Sequence, residues 1–179
     1  YWHTISSFVN FIYSFLYLFK TKTTISATNQ TYKDLTSRID EENGTIKLNF
    51  KVNTNETNYM LNLSKNHVEG TIPELNGYAP TQVKMINTQS ANLSFNYDET
   101  SRIFTIDRTA TLEDETVTTA VARSNSYEIE VIYPIEAYQA IEEDTASIKI
   151  PVNTYYEGYN NPNEEFTNPY KSNIASATI

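Results

Sequence analysis

Five aromatic side chains crowd one stretch near the end of the chain: Tyr155, Tyr156, Tyr159, Phe166 and Tyr170. They belong to a set of 14 Tyr and 8 Phe against a single Trp. Rings with polar tips make flat, amphipathic surfaces that suit sugars or protein partners. The loop spanning Tyr155–Tyr170 is therefore the expected ligand-binding platform. The competing reading is that these rings close the end of a hydrophobic core.

The other reactive groups are sparse. His3 falls in an apolar leader and His67 in a polar connection, and neither has local partners that would orient it for catalysis or metal binding. Three acidic runs, Asp40-Glu41-Glu42, Glu113-Asp114-Glu115 and Glu142-Glu143-Asp144, sit at predicted strand ends, where they read as solvated turns. Calcium takes about 6–8 oxygen ligands, so it is the one cofactor such loops leave open, although no Asp-x-Asp-x-Asp-Gly spacing occurs. The chain has no cysteine, which excludes disulfides, thiolate catalysis and zinc–thiolate sites. No recognisable catalytic signature is present either. The expectation is a protein that is not an enzyme.

The elements that must carry these residues are strands. In Ile46-Lys47-Leu48-Asn49-Phe50-Lys51-Val52 every second residue is apolar, the mark of a half-buried strand. A hairpin partner is expected at Tyr59–Leu63 across the turn-rich Asn53–Asn58, and a second hairpin at Leu93–Tyr97 and Ile103–Ile106. Further strands are predicted at Gln82–Ile86, Val117–Ala122, Tyr127–Tyr133, Ile148–Tyr155 and Ile174–Ile179, with a short helix over Ile135–Ile141. Pro151 marks its strand as a sheet edge or a bulge. Lys65–Pro80, with two glycines and two prolines, reads as a long connection. The period of two predicts Tyr59, Tyr97, Tyr127 and Tyr133 on apolar faces and Lys47, Lys51 and Lys149 facing water. Short alternating strands punctuated by turns, with almost no helical pattern, point to an all-β, antiparallel β-sandwich or barrel.

Composition bounds the rest. The chain has 179 residues, with 13 Lys+Arg against 22 Asp+Glu and a formal charge of -9. A chain this acidic has no basic stripe for phosphates, so nucleic acid is not an expected partner. Residues 1–27 contain the apolar run Phe8–Phe19, which suits the hydrophobic stretch of a signal peptide or a membrane anchor, with Ile25-Ser26-Ala27 as a small-residue cleavage site. Residues 28–179 are then a single sandwich domain. A start at Tyr1 and a stop at Ile179 read as cuts from something longer.

The closing stretch Ala146–Ile179 resembles a known family. A strand ending near Tyr155, the polar Tyr159-Asn160-Asn161-Pro162-Asn163-Glu164-Glu165-Phe166, and the ending Ser172-Asn173-Ile174-Ala175-Ser176-Ala177-Thr178-Ile179 are similar to the conserved-repeat β-sandwich of Gram-positive bacterial surface and cell-wall proteins. Gly70-Thr71-Ile72-Pro73-Glu74-Leu75 resembles the proline-containing middle of such repeats. The resemblance implies an immunoglobulin-like β-sandwich, one of a tandem array of such repeats, with export to the cell surface or wall and a spacer or adhesin role. It implies as partners neighbouring repeats of the same polypeptide, with host or wall glycans or proteins beyond them. Proteins of this kind sometimes carry an intramolecular Lys–Asn isopeptide bond, against which the water-facing parity of Lys47, Lys51 and Lys149 argues. Lys171 shares parity with Ala175 and Ala177 and is the only lysine placed for it. The function expected is an extracellular structural or adhesive module; a carbohydrate-binding module using the loop of residues 155–170 is the alternative.

Overall fold

A computed structural model describes residues 23–27, 31–33, 38–57, 62–86, 92–114, 116–139, 145–159, 170–171 and 175–178. In chain order the strands are β1 (Thr23–Ala27), β2 (Thr31–Lys33), β3 (Ile39–Asp40), β4 (Thr45–Glu56) and β5 (Asn62–Thr71). They continue with β6 (Gln82–Met85), β7 (Leu93–Asp98), β8 (Ile103–Thr109), β9 (Thr111–Glu113) and β10 (Thr116–Thr119). After β11 (Ser124–Pro134) comes a one-turn helix, α1 (Glu136–Gln139). The chain then forms β12 (Thr145–Ser147), β13 (Pro151–Tyr159), β14 (Tyr170–Lys171) and β15 (Ala175–Thr178).

The fold is the expected antiparallel β-sandwich. One sheet runs β1-β4-β11-β6, with β3 also paired to β4; the other runs β14-β13-β5-β8-β7, with β15 also paired to β13. The pairs β9–β10 and β2–β12 form two small separate ladders. Every pairing is antiparallel.

Alternation along the strands builds the core. Ile46, Leu48, Phe50 and Val52 of β4 and Tyr127, Ile129, Val131 and Tyr133 of β11 all point inward and are buried. They meet Val68, Phe104, Ile106 and Val152 of the opposite sheet. Phe50 and Phe104 cross the interface with ring centroids 5.9 Å apart and planes tilted by 59°, a favourable aromatic geometry. The lysines of β4 face outward as predicted. Lys47 pairs with Asp40 at 3.3 Å and Lys51 lies 4.0 Å from Glu128, both on the solvent side of β4.

Several expectations are corrected. The strand at Ile46–Val52 does not form a hairpin with its successor: β4 and β5 lie in opposite sheets, so the link between them crosses the sandwich. The expected long connection Lys65–Pro80 is half strand, because β5 runs to Thr71. Pro151 does not mark an edge. It is the first residue of β13, a strand paired with β5 on one side and with β14 and β15 on the other, and Pro151 itself is in register with Thr178 of β15. Thr23–Ala27, placed in the leader by its sequence, pairs with Val52–Glu56 as β1. The apolar run Phe8–Phe19 lies outside the described residues, as do Tyr59 and the acidic run Glu142-Glu143-Asp144.

Candidate functional site

The aromatic platform is divided by the sheet. Tyr155 and Tyr156 are consecutive in β13, so they point to opposite faces. Tyr156 is wholly buried and belongs to the interior, which removes it from any exposed platform. Tyr155 lies on the outer face of the six-stranded sheet. Tyr159 ends β13, Tyr170 and Lys171 form β14, and the side chains of all three lie outside the described set, as does Phe166. Lys171 is in register with Glu157.

Tyr155 has companions that sequence alone does not bring to it. Register places Tyr155 opposite His67 on β5, and His67 opposite Asp107 on β8. The His67 and Tyr155 rings stack with centroids 4.8 Å apart and planes within 25°. His67 Nδ1 lies 2.8 Å from Asp107 Oδ1, and the Lys65 ammonium donates to the same oxygen at 3.0 Å. Three neighbouring strands thus hold a Lys–His–Asp–Tyr row in fixed geometry on a half-buried surface. Burial opposes ionisation of Asp107, but hydrogen bonds from His67 and Lys65 outweigh it and hold the carboxyl below its ordinary range. Burial likewise opposes the Lys65 charge, and the bond to Asp107 overcomes it and raises the ammonium's pKa. Burial raises the Tyr155 phenol.

The sign for Asp107 follows by linkage. A carboxyl with a depressed folded-state pKa adds stability that is present above its unfolded value, about 3.9, and is lost as pH falls through the folded one. Asp107→Asn should therefore be less stable than the native chain at pH 7, with the gap closing below about pH 4. Urea titrations across that range test this; a gap independent of pH would show that Asp107 contributes no charge-dependent stability.

Behind this face lies a second polar assembly, between the sheets. Asn66 is fully buried. Its Oδ1 accepts from Tyr127 Oη at 2.6 Å and from Thr54 Oγ1 at 3.1 Å. Its Nδ2 donates to Thr154 Oγ1 at 3.1 Å and to the Tyr155 carbonyl at 3.2 Å. The Tyr156 hydroxyl lies 2.8 Å from Thr54 Oγ1 and accepts from Asn125 Nδ2 at 2.9 Å. Arg108 closes the chain by donating to Asn125 Oδ1 at 2.6 Å. Thr54, Asn125 and Tyr127 come from one sheet, and Asn66, Arg108, Thr154 and Tyr156 from the other. Burial pushes the Tyr127 and Tyr156 phenols up, which keeps both protonated as donors. These bonds tie the two layers in a chain that has no disulfide.

His67, placed by its sequence in a connection, is the principal residue that pattern reading misses. The cause is a bulge. Glu157 is in register with Lys65 but Gly158 with Leu63, so Ser64 is an extra residue in β5. Leu63 and Asn66 consequently both face inward, three apart, and the period of two is lost there. The inward positions Asn66 and Gly70 are also not apolar. Asp107 and Lys65 had no signal without that strand. As for calcium, no group of three or more metal-ligating side chains converges among the described residues.

No family model matches the chain, and no curated protein does. Solved structures with a similar arrangement exist at low identity. One is a cohesin module from a Clostridium perfringens family 33 glycoside hydrolase, at TM-score 0.44 and 6% identity, covering 89% of this chain and 95% of that one. Another is the cohesin–dockerin complex Coh-OlpA-Doc918 from Clostridium thermocellum, at TM-score 0.47 and 9% identity, covering 87% and 96%. A third is the C-terminal domain of the Streptococcus pyogenes antigen I/II-family protein AspA, at TM-score 0.35 and 9% identity. It covers 88% of this chain and 45% of the other.

Proposed function

We propose that this chain is a non-catalytic module of a bacterial surface protein, a sandwich that spaces and adheres, working outside the cell. Its contact surface is the outer face of the six-stranded sheet. The observation that carries this reading is the Lys65–His67–Asp107–Tyr155 row. These side chains are ordered by one another and lie on the face opposite the core. Such pre-organised polar groups around an aromatic ring lower the entropy lost on binding. The sequence resemblance at Ala146–Ile179 supports the bacterial surface setting, and the inter-sheet polar network suits a spacer that must hold together without cystines. Neighbouring modules and host or wall proteins are the partner classes.

Tyr155 also supports a second reading, a carbohydrate-binding module, since a half-buried ring on the outer face of a sheet, flanked by polar groups, is a minimal sugar platform. One experiment separates the two. The native chain, Tyr155→Ala and Asp107→Ala are applied to a glycan array and to immobilised host extracellular-matrix proteins. Dose-dependent binding to a protein, falling about tenfold or more in both variants, is the expected result, a loss of about 1.4 kcal/mol. Binding to a glycan alone, abolished by Tyr155→Ala, would replace it with the second reading. Binding that survives both substitutions would overturn the outer face as the contact surface, and silence on both supports would overturn adhesion.

A further inference from the structure

We propose that the free edge of β7 pairs with β7 of a second copy of this chain, joining two six-stranded sheets across a twofold axis. β7 ends its sheet: its six residues bond to β8 on one side, and among the described residues no strand pairs with the other. Exposed edges are usually blunted by shortness, lysine, proline or a bulge. The last strand of the opposite sheet, β6, is four residues long and carries an outward Lys84. β7, Leu93-Ser94-Phe95-Asn96-Tyr97-Asp98, has no lysine, arginine or proline, and its ladder with β8 is regular throughout. Its only charge, Asp98, is turned into the following turn, where its carboxylate accepts from the Thr100 and Ser101 N–H groups at 2.8 and 3.3 Å.

The inward side chains of this edge are incompletely covered. Leu93, Phe95 and Tyr97 pack on the core yet are only partly buried. Beside Phe95 and Tyr97, a cleft of about 680 Å³ opens toward Val83, Lys84 and Ile132. An added strand would supply the missing ladder bonds and lay its own apolar side chains along the cleft.

The strand is complementary to itself. Antiparallel pairing across a twofold axis keeps like faces together only when the axis passes through a residue. Centred on Phe95, Leu93 meets Tyr97 and Ser94 meets Asn96. Centred on Asn96, Phe95 meets Tyr97 and Ser94 meets Asp98. Both registers match apolar to apolar, and neither opposes like charges. The whole chains repel, at a formal charge of -9 each. Added salt screens that repulsion, so association tightens as ionic strength rises.

Sedimentation equilibrium of the full chain, from about 5 µM to about 500 µM, tests this against an edge-blocked variant. Asn96 is exposed, so Asn96→Lys leaves the fold intact while setting a charge on the pairing edge. Thr119→Lys, at an exposed position that ends β10, makes the same change in net charge away from β7. A monomer–dimer equilibrium is expected, tighter in about 0.5 M than in about 0.05 M NaCl. Asn96→Lys should weaken it about tenfold or more, and Thr119→Lys should not. A monomer at every concentration and salt, or dimers equally stable in both variants, would overturn the proposal.

Discussion

Replacing Asn66 with alanine is expected to cost roughly 3–5 kcal/mol, a large share of the roughly 5–15 kcal/mol that holds a domain folded. An amide offers two acceptor sites and two donors, and Asn66 uses all four. Truncation leaves the buried Tyr127 phenol without its acceptor and takes one bond each from the Thr54 and Thr154 hydroxyls, which keep the Tyr156 hydroxyl and the His67 carbonyl, and from the Tyr155 carbonyl. Each unsatisfied buried group costs about 1–3 kcal/mol, but relaxation and sharing make the sum sub-additive. Leucine would fill the volume and restore none of the four bonds. Urea denaturation should show the midpoint falling with an unchanged slope. A shift equivalent to less than about 1 kcal/mol would mean that the network is not a structural tie. Tyr156→Phe, which removes one hydroxyl from the edge of the same network, should cost less.

The second large effect is at Gly70. A Cβ there would stand 2.5 and 2.6 Å from Phe104 Cε1 and Cζ and 3.0 Å from the Pro151 carbonyl oxygen. Phe104 cannot swing clear. It is fully buried, with Phe50 at 5.9 Å and Phe95 at 6.3 Å between ring centroids. In an ordinary strand interior alanine is favoured over glycine by about 0.5–1 kcal/mol. Here the sign should reverse, with Gly70→Ala destabilising by about 1–3 kcal/mol through overpacking and Gly70→Val by more. Thermal unfolding of the two variants beside the native chain checks both sign and order. A stabilised Gly70→Ala would show that the ring has room to move.

Both positions bear on how far the sequence could be read. The strands with strict alternation, β4, β7, β8 and β11, were legible because one face is greasy and the other wet, and only a pleated strand puts those faces at a period of two. The outward lysines of β4 and the buried Tyr127 and Tyr133 followed from the same parity. β5 was not legible in full. The residues it turns inward include an amide and a glycine, and the extra Ser64 shifts the parity partway along. Asn66 looks like a loop residue until Thr54, Tyr127 and Thr154 surround it. Gly70 looks like a turn residue until Phe104 is placed over it.

The aromatic cluster carries the same lesson. Tyr155 and Tyr156 are adjacent in the chain and chemically identical, and the sheet sends one to the solvent face and the other into the polar interior.

By itself the sequence determined the layer architecture, the inward and outward faces of the regular strands, and the absence of cystine cross-links, because each depends on neighbours within one strand or on composition. Only the tertiary structure decided which strands share a sheet, that His67, Asp107 and Lys65 stand beside Tyr155, and that among the described residues β7 ends its sheet. Those facts depend on registers between strands far apart in the chain, such as β5 with β8 and with β13. Register between distant strands is set by the packing of whole faces against one another rather than by any local run of residues.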